Sequence, residues 1–478
     1  VSSHLPHIEN KEGQVELVQP ERLFSSEHYN HDLGPIPVRD RRWTAFNFAA
    51  MWIAFAHCIP TYMLASALVG IGMSAVGAAA TVLLGNALLV VPLLLNAHAG
   101  GRYGIPFAVQ VRAAYGMQGA HFATLIRAFV ACGWFGIQTW IGGHAVHVFL
   151  SVVIPEWAGF EYGEWIAFVA FWVLNVAVAM RGLSWLRHVE NFAAPFVLVM
   201  TCALLLWAFD SVGSWSLVFA ATSRPSTLGE IVPAVTATIG FWATIAVSAG
   251  DISRYARSQR DQIIGQGLAL PWAMGFYAAL AAFVTQATVL VYGDVLWDPV
   301  RLVAKFHSPV VVGICAMTVV LTTLSVNIAA NVVSPARAFS NAWPKRISFR
   351  HGALLTALFG WCLAPWRLLE EPDRFLFVWL LGTSGPLGAV CGVMIVDYWV
   401  VRRRSLALGA LYDMSGEYAG VRKSAVVATI LGCLAACIGA WVSALKPLYD
   451  IAFFTGLGTS AIAHWAFANG RPRTLVQR

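Results

Sequence analysis

Charge is what this sequence has least of. Asp, Glu, Lys and Arg make up 12% of its 478 residues, against roughly 25% in a soluble domain. Hydrophobic residues reach 58% and mean hydropathy is +0.67, so a water-solvated globule is excluded and a membrane protein is expected. Chemical motifs are scarce too. There is no Gly-x-Ser-x-Gly, no His-Glu-x-x-His and no pair of carboxylates inside the apolar runs, which leaves an intramembrane enzyme without a nucleophile, base or metal cluster. A passive channel would need a ring of repeated pore residues, and none stands out. The eight cysteines, at 58, 132, 202, 315, 362, 391, 433 and 437, lie in or beside apolar runs, where reduced Cys acts as a small hydrophobe. They form no disulfide framework or zinc spacing. "GLGTSA", Gly456 to Ala461, mimics a dinucleotide fingerprint but lies inside an apolar run, where close helix packing accounts for it.

Apolar runs long enough to cross about 30 Å of hydrocarbon recur near 44–70, 75–96, 121–151, 163–181, 189–210, 228–249, 266–292, 309–335, 352–369, 375–399, 424–445 and 448–468. They are numbered here as spans 1 to 12. Cations near span ends are retained on the cytoplasmic side. With the N-terminus inside, 22 Lys and Arg fall on the inner side and six on the outer. Both termini are therefore expected in the cytoplasm, with the chain crossing the cell's inner (plasma) membrane. The formal charge of +7 serves as an orientation signal, and no folded basic face outside the bilayer offers a nucleic-acid surface. Residues 1–43 read as a flexible cytosolic tail without a cleavable signal peptide, and 469–478 as a second tail.

Spans 1 and 6 carry helix-breaking residues near their middles, in "AHCIPT" (Ala56 to Thr61) and "TIGFW" (Thr238 to Trp242). Pro60 removes a backbone donor, and Gly240 permits angles other residues avoid. Matched breaks five spans apart predict an inverted repeat with its binding site at the midplane. Polar residues at that depth tend to face the bundle interior. They are His57 in span 1, Trp134 and Gln138 in span 3, Trp242 in span 6, and Ser325, Asn327 and Asn331 in span 8. Trp134 and Gln138 share a helix face four residues apart and offer a flat surface beside one acceptor and two donors, which suits a small ring bearing amide or ureide groups. An interfacial Trp and an interhelical Gln contact would be the plainer account. Asn327 and Asn331 are likewise four apart. Either can complement Gln138, and one is expected to hold helices together. Arg127 is placed inside span 3, about 10 Å below Trp134 at 1.5 Å per residue. Asp251 lies roughly 13 Å below Trp242 on the same side, so an Arg127–Asp251 pair at the cytoplasmic gate is expected, with snorkelling and helix-end solvation as the alternative.

"GWFGIQTW" in span 3, "GFWATIAVSAGD" in span 6, "LSVNIAANVVSPA" in span 8 and "DYWVVRRR" after span 10 resemble the nucleobase:cation symporter-1 family, whose members carry hydantoins, allantoin, uracil, cytosine and related rings. "IPTYMLASALVGIGMS" and "LKPLYDI" resemble its bacterial allantoin permease branch most. The resemblance runs from about Arg41 to Phe467. It implies an all-α membrane protein of twelve helices in a LeuT-type fold: repeats at 44–210 and 228–399 with helices 11 and 12 at 424–468. It implies no enzymatic activity, no cofactor and a monomer in lipid. Trp134 and Trp242 would sandwich the ring, Gln138 and Asn331 would bond its amide edges, and Phe241 and Cys58 would line it, Cys58 standing where the family often has an amide. A sodium site would draw on carbonyls of Ala54, His57 and Thr322 and the Ser325 hydroxyl. Val326 lacks the hydroxyl the family places beside it, and a hard cation wants five or six oxygens. His57, with an ordinary pKa of about 6.5, is the alternative carrier of a coupling proton. The function implied is import of a planar heterocycle by sodium or proton symport.

Overall fold

The structure is a computed structural model that describes residues 6–29, 31–181, 186–220, 226–343 and 346–469. The C-terminal tail beyond Asn469, together with Arg224 and Lys345 of the charge count, lies outside the described residues.

Span 1 is two helices, Ala45–Ala56 and Ile59–Gly70, bent by 60°. The expected proline mechanism fits the break. Pro60 sits in the first turn of the second half-helix, whose N-cap, Cys58, is extended at φ −137° and ψ 160°. A missing N–H costs nothing there, because first-turn donors have no intrahelical acceptor. Every residue from Ile59 to Val69 is buried, as expected of a segment apolar on all sides.

Span 6 departs from expectation. Leu228–Val247 is one continuous helix through Thr238–Trp242, and it ends only at Ser248, before a short turn at Gly250–Ser253. Gly240 serves a different purpose, since a Cβ there would collide with the carbonyl oxygen of Leu380 in span 10. Its missing side chain brings two backbones together and does not unwind one, so of the two expected mid-span breaks only that of span 1 is present.

The helices sort into packing groups. Spans 1, 2 (Ala75–Tyr103), 6 and 7 (Gln259–Tyr292) pack together, as do spans 3 (Ala120–Val153), 4 (Gly163–Arg181), 8 (Pro309–Asn327, continued by Val333–Ala342) and 9 (Phe349–Cys362). Span 5, Leu186–Val212, touches spans 7 and 8, one from each group. Span 10 lies on span 6 and is backed by spans 11 (Lys423–Cys437) and 12 (Ala452–Asn469). Among the described residues eight helices are long and apolar enough to cross a membrane, or ten if each bent pair counts once. Span 9 is the short one, a 14-residue helix Phe349–Cys362, while span 5 runs over 27 residues, Leu186–Val212. Spans 8 and 10 contain π-turns, at Ile328–Val332 in the former and at Arg374–Leu380 and Asp397–Val401 in the latter. Such turns are frequent at functional sites.

The N-terminal segment is not the flexible tail expected. His7–Glu9 pairs antiparallel with Val15–Leu17, and Val15, Leu17 and Leu23 pack with Leu411, Tyr412 and Tyr418 of the loop after span 10. Arg41 is buried and donates to the carbonyls of Ile36, Arg102 and Val15 at 2.9, 3.1 and 3.0 Å. Burial draws its pKa down to about 10, which still leaves it a cation at neutral pH.

Candidate substrate and ion site

Trp134 and Gln138 lie on the inward face of span 3, 6% exposed each. The Trp134 ring stands edge-on to Phe241 at 5.1 Å, Trp379 at 6.0 Å and Phe375 at 6.3 Å. Trp379 comes this close because its neighbour Gly133 has no side chain to meet it. Among the described residues no protein group hydrogen-bonds the Gln138 amide, whereas buried amides are normally paired. The π-turn of span 10 supplies Phe375 and Trp379 to this wall, and sequence reasoning missed both. The aromatic run "RFLFVWL" was their only signal.

Trp242 does not face Trp134 directly. Phe241 stands between them, 5.1 Å from Trp134 and 5.0 Å from Trp242, edge-on to both. Trp242 turns toward spans 1 and 7. Its indole N–H points at Met274 Sδ at 3.2 Å, its ring meets Trp52 edge-on at 5.5 Å, and it stacks on Phe55 at 6.1 Å and 20°. The two tryptophans thus share one aromatic wall through Phe241.

The two asparagines of span 8 divide their work. Asn327 donates to the Phe135 carbonyl at 3.3 Å, Thr139 Oγ1 at 3.1 Å and Asn175 Oδ1 at 3.2 Å, tying span 8 to spans 3 and 4. Asn331, within the π-turn, donates to Asn327 Oδ1 at 3.1 Å. Asn327 is therefore the helix-holding member, and Asn331 is anchored by it. Cys58 is buried with its thiol 3.2 Å from Thr61 Oγ1.

The cation ligands expected from the motifs fall on the break of span 1 and on span 8. His57 caps the first half-helix, its Nδ1 2.5 Å from the Ile53 carbonyl. That carbonyl fixes Nδ1 as the donor and leaves Nε2 a bare acceptor, buried and without a partner, while the ring lies 4.9 Å from that of Tyr277. Thr322 Oγ1 donates to the Thr318 carbonyl at 2.7 Å. Ser325 Oγ is buried and unpartnered. An orphaned buried hydroxyl is an oxygen of the kind a hard cation takes, although Val326 adds none beside it. Among the described residues no cluster of His, Cys, Asp or Glu could hold a metal.

The expected Arg127–Asp251 ion pair does not form. Arg127 donates to the Thr244 carbonyl of span 6 at 3.3 Å and to Ser334 Oγ of span 8, with its guanidinium 5.9 Å over the Phe107 ring. Asp251 accepts from the Phe107 backbone N–H at 2.8 Å. The two charges grip Phe107 from different sides, a connection their separation in sequence could not reveal.

Two four-helix groups, an interrupted first crossing and an aromatic wall with an unpaired amide define a multi-pass secondary transporter, in which binding and helix motion, not bond chemistry, do the work. Comparison with known proteins makes this specific. Residues 35–456 match the family model described as permease for cytosine/purines, uracil, thiamine, allantoin, and the chain belongs to that family. It is 37% identical over 446 residues to an allantoin permease of Bacillus subtilis, with 90% of each chain covered. It is 36% identical over 470 residues to a purine-uracil permease of Arabidopsis thaliana, covering 93% of this chain and 78% of that one. Among solved structures, Mhp1 in an inward facing conformation aligns with TM-score 0.78 and 26% identity, covering 92% and 93% of the two chains. Mhp1 in a closed conformation with bromovinylhydantoin bound aligns at 0.72 and 25%, covering 92% and 96%. The fold is thus the LeuT type that the motifs implied, and the protein is a transporter, not an enzyme.

Proposed function

We propose that this protein imports a small planar heterocycle bearing amide or ureide groups, of the allantoin or hydantoin type, by cation symport with alternating access. The observation that carries this reading is Gln138, a residue only 6% exposed whose amide has no protein hydrogen-bond partner among the described residues, one helical turn from Trp134. It offers one acceptor and two donors to a flat ligand. Trp242 and Phe241 extend the aromatic surface, Asn331 faces the ring from span 8, and Cys58 lines it from the break of span 1. Allantoin permease and purine-uracil permease relatives and a bromovinylhydantoin-bound neighbour support the substrate class.

The coupling ion is sodium, held by carbonyls of Ala54, His57 and Thr322 and by Ser325 Oγ. The unpartnered Nε2 of His57 supports a second reading, a proton-coupled nucleobase permease, in which that nitrogen takes up the proton. The protein acts as a monomer in the plasma membrane with both termini cytoplasmic, and its repeats occupy 44–210 and 228–399. Uptake of radiolabelled allantoin, hydantoin, uracil and cytosine into proteoliposomes tests this, with a sodium gradient or a pH gradient imposed in turn. Accumulation of an unchanged ureide ring above its equilibrium level under a sodium gradient is expected. Accumulation of uracil or cytosine under a pH gradient alone would favour the second reading, and no accumulation of any ring would end both.

A further inference from the structure

Phe55 lies one residue before the carboxyl end of the first half-helix of span 1 and is 38% exposed. Its place on the helix makes that exposure informative. Phe55 is seven residues after Phe48 and three after Trp52, so the three share a face, and Phe48 and Trp52 are fully buried. The outward face of the same helix carries Phe46 and Ile53, 79% and 49% exposed. Phe55 thus lies at the exposed end of the buried face, and there it stacks on Trp242 with ring centroids 6.1 Å apart and planes 20° apart. The remaining neighbours of that indole, Trp52 and Phe241, meet it edge-on at 86° and 79°, and its N–H is held by Met274 Sδ. Among the described rings Phe55 alone lies near-parallel to the indole plane, which is the geometry a flat ligand would adopt.

We propose that Phe55 is a positioning residue for substrate release: it occupies the face of Trp242 that a bound ring uses, so binding displaces Phe55 and its return expels the ring. This rests on the reading of Trp242 as a substrate platform. Both partners need only side-chain rotation and a small shift at the adjoining break of span 1, where His57 and Cys58 are already outside the helices. An offset-stacked aromatic pair is worth enough to change affinity by roughly 2- to 12-fold, so the self-stack competes measurably without blocking the site.

The test uses full-length protein, with calorimetry in detergent and uptake in proteoliposomes, and the probes allantoin, uracil and bromovinylhydantoin. Phe55→Ala is expected to bind the best probe about threefold or more tightly, and to lower KM and kcat together because release slows. Phe55→Trp, which restores a ring, is expected to return both toward the wild-type values. Damage to the fold would instead raise KM while lowering kcat. Unchanged or weaker binding by Phe55→Ala, with Trp242→Ala abolishing binding, would overturn the release role and leave the platform intact. If Trp242→Ala binds as well as wild type, or no probe binds the wild-type protein, the platform reading fails and this inference fails with it.

Discussion

At the scale of single residues, the difference between a group that waits for a ligand and one that holds the fold is written in its hydrogen bonds. Gln138 has no hydrogen-bond partner among the described residues, so Gln138→Leu removes no hydrogen bond seen within the folded chain. Its melting temperature is expected to stay within about 2 °C of wild type, while KM for the transported ring rises at least about tenfold, the scale of a lost hydrogen bond to a buried polar group. Asn327 is the converse case. It donates to spans 3 and 4 at three points, so Asn327→Ala is expected to cost about 1–3 kcal/mol of stability and to loosen Asn331 as a secondary effect. Thermal unfolding in detergent alongside uptake kinetics separates the two. A thermal shift in Gln138→Leu as large as that in Asn327→Ala would show that Gln138 has a structural partner. The sequence places both residues at the right depth and on inward faces. It does not say which asparagine is structural, because that depends on Asn175 and Thr139, which approach only when spans 3, 4 and 8 are packed.

At the scale of helices, proline and glycine were unequal guides. Pro60 lacks a donor wherever it sits, so a break beside it was legible, and the bend of span 1 follows. Gly240 has two uses, release of the backbone and close approach, and the residue alone does not select between them. The carbonyl of Leu380 does. Gly240→Ala gains up to about 1 kcal/mol in helix propensity but forces spans 6 and 10 apart, and overpacking of this kind costs about 1–3 kcal/mol. The variant is expected to unfold at a lower temperature than wild type. Gly458→Ala in span 12, where an added Cβ meets nothing within 4 Å, should be neutral or slightly stabilising. Equal behaviour of the two variants in thermal unfolding would remove close approach as the reason for Gly240. The π-turns of spans 8 and 10 were illegible for a related reason: an extra residue in a turn leaves the apolar pattern intact while re-aiming Asn331, Phe375 and Trp379. The aromatic wall was thus only half visible, with Trp134, Phe241 and Trp242 found and the span 10 contribution missed.

At the scale of the whole molecule, alternating access requires the group of spans 1, 2, 6 and 7 to move against that of spans 3, 4, 8 and 9, and the N-terminal segment spans both. The Asp32 carbonyl accepts from Arg254 Nη1, just after span 6, at 2.8 Å. Its carboxylate pairs with Arg337 Nη2, at the far end of span 8, at 3.0 Å. Neighbouring contacts hold the strap down, with Ser26 Oγ donating to the Tyr412 carbonyl at 2.5 Å and Tyr412 Oη to the Leu33 carbonyl at 2.7 Å. The Arg337–Asp32 pair is exposed, 49% and 63% at the two side chains, and such pairs contribute about 0–1 kcal/mol. Asp32→Ala is therefore expected to change the turnover rate by less than about fivefold, while hydrogen exchange over residues 6–43 accelerates. Acid should act on the same strap through His28, whose carbonyl accepts from Arg112 at 3.4 Å. Burial and then the Arg112 charge hold its pKa below the ordinary value, with Glu27 opposing them. A histidine with a depressed folded pKa takes up its proton more readily once the strap is released, so the contribution to docking is complete above about pH 6.5 and is lost as pH falls through the lowered folded value. Hydrogen exchange of residues 6–43, corrected for its intrinsic slowing in acid, is expected to show an excess that grows as pH falls from 7.5 to 5.5, and His28→Asn to flatten that excess. An unchanged excess in the variant would assign the acid response to another group.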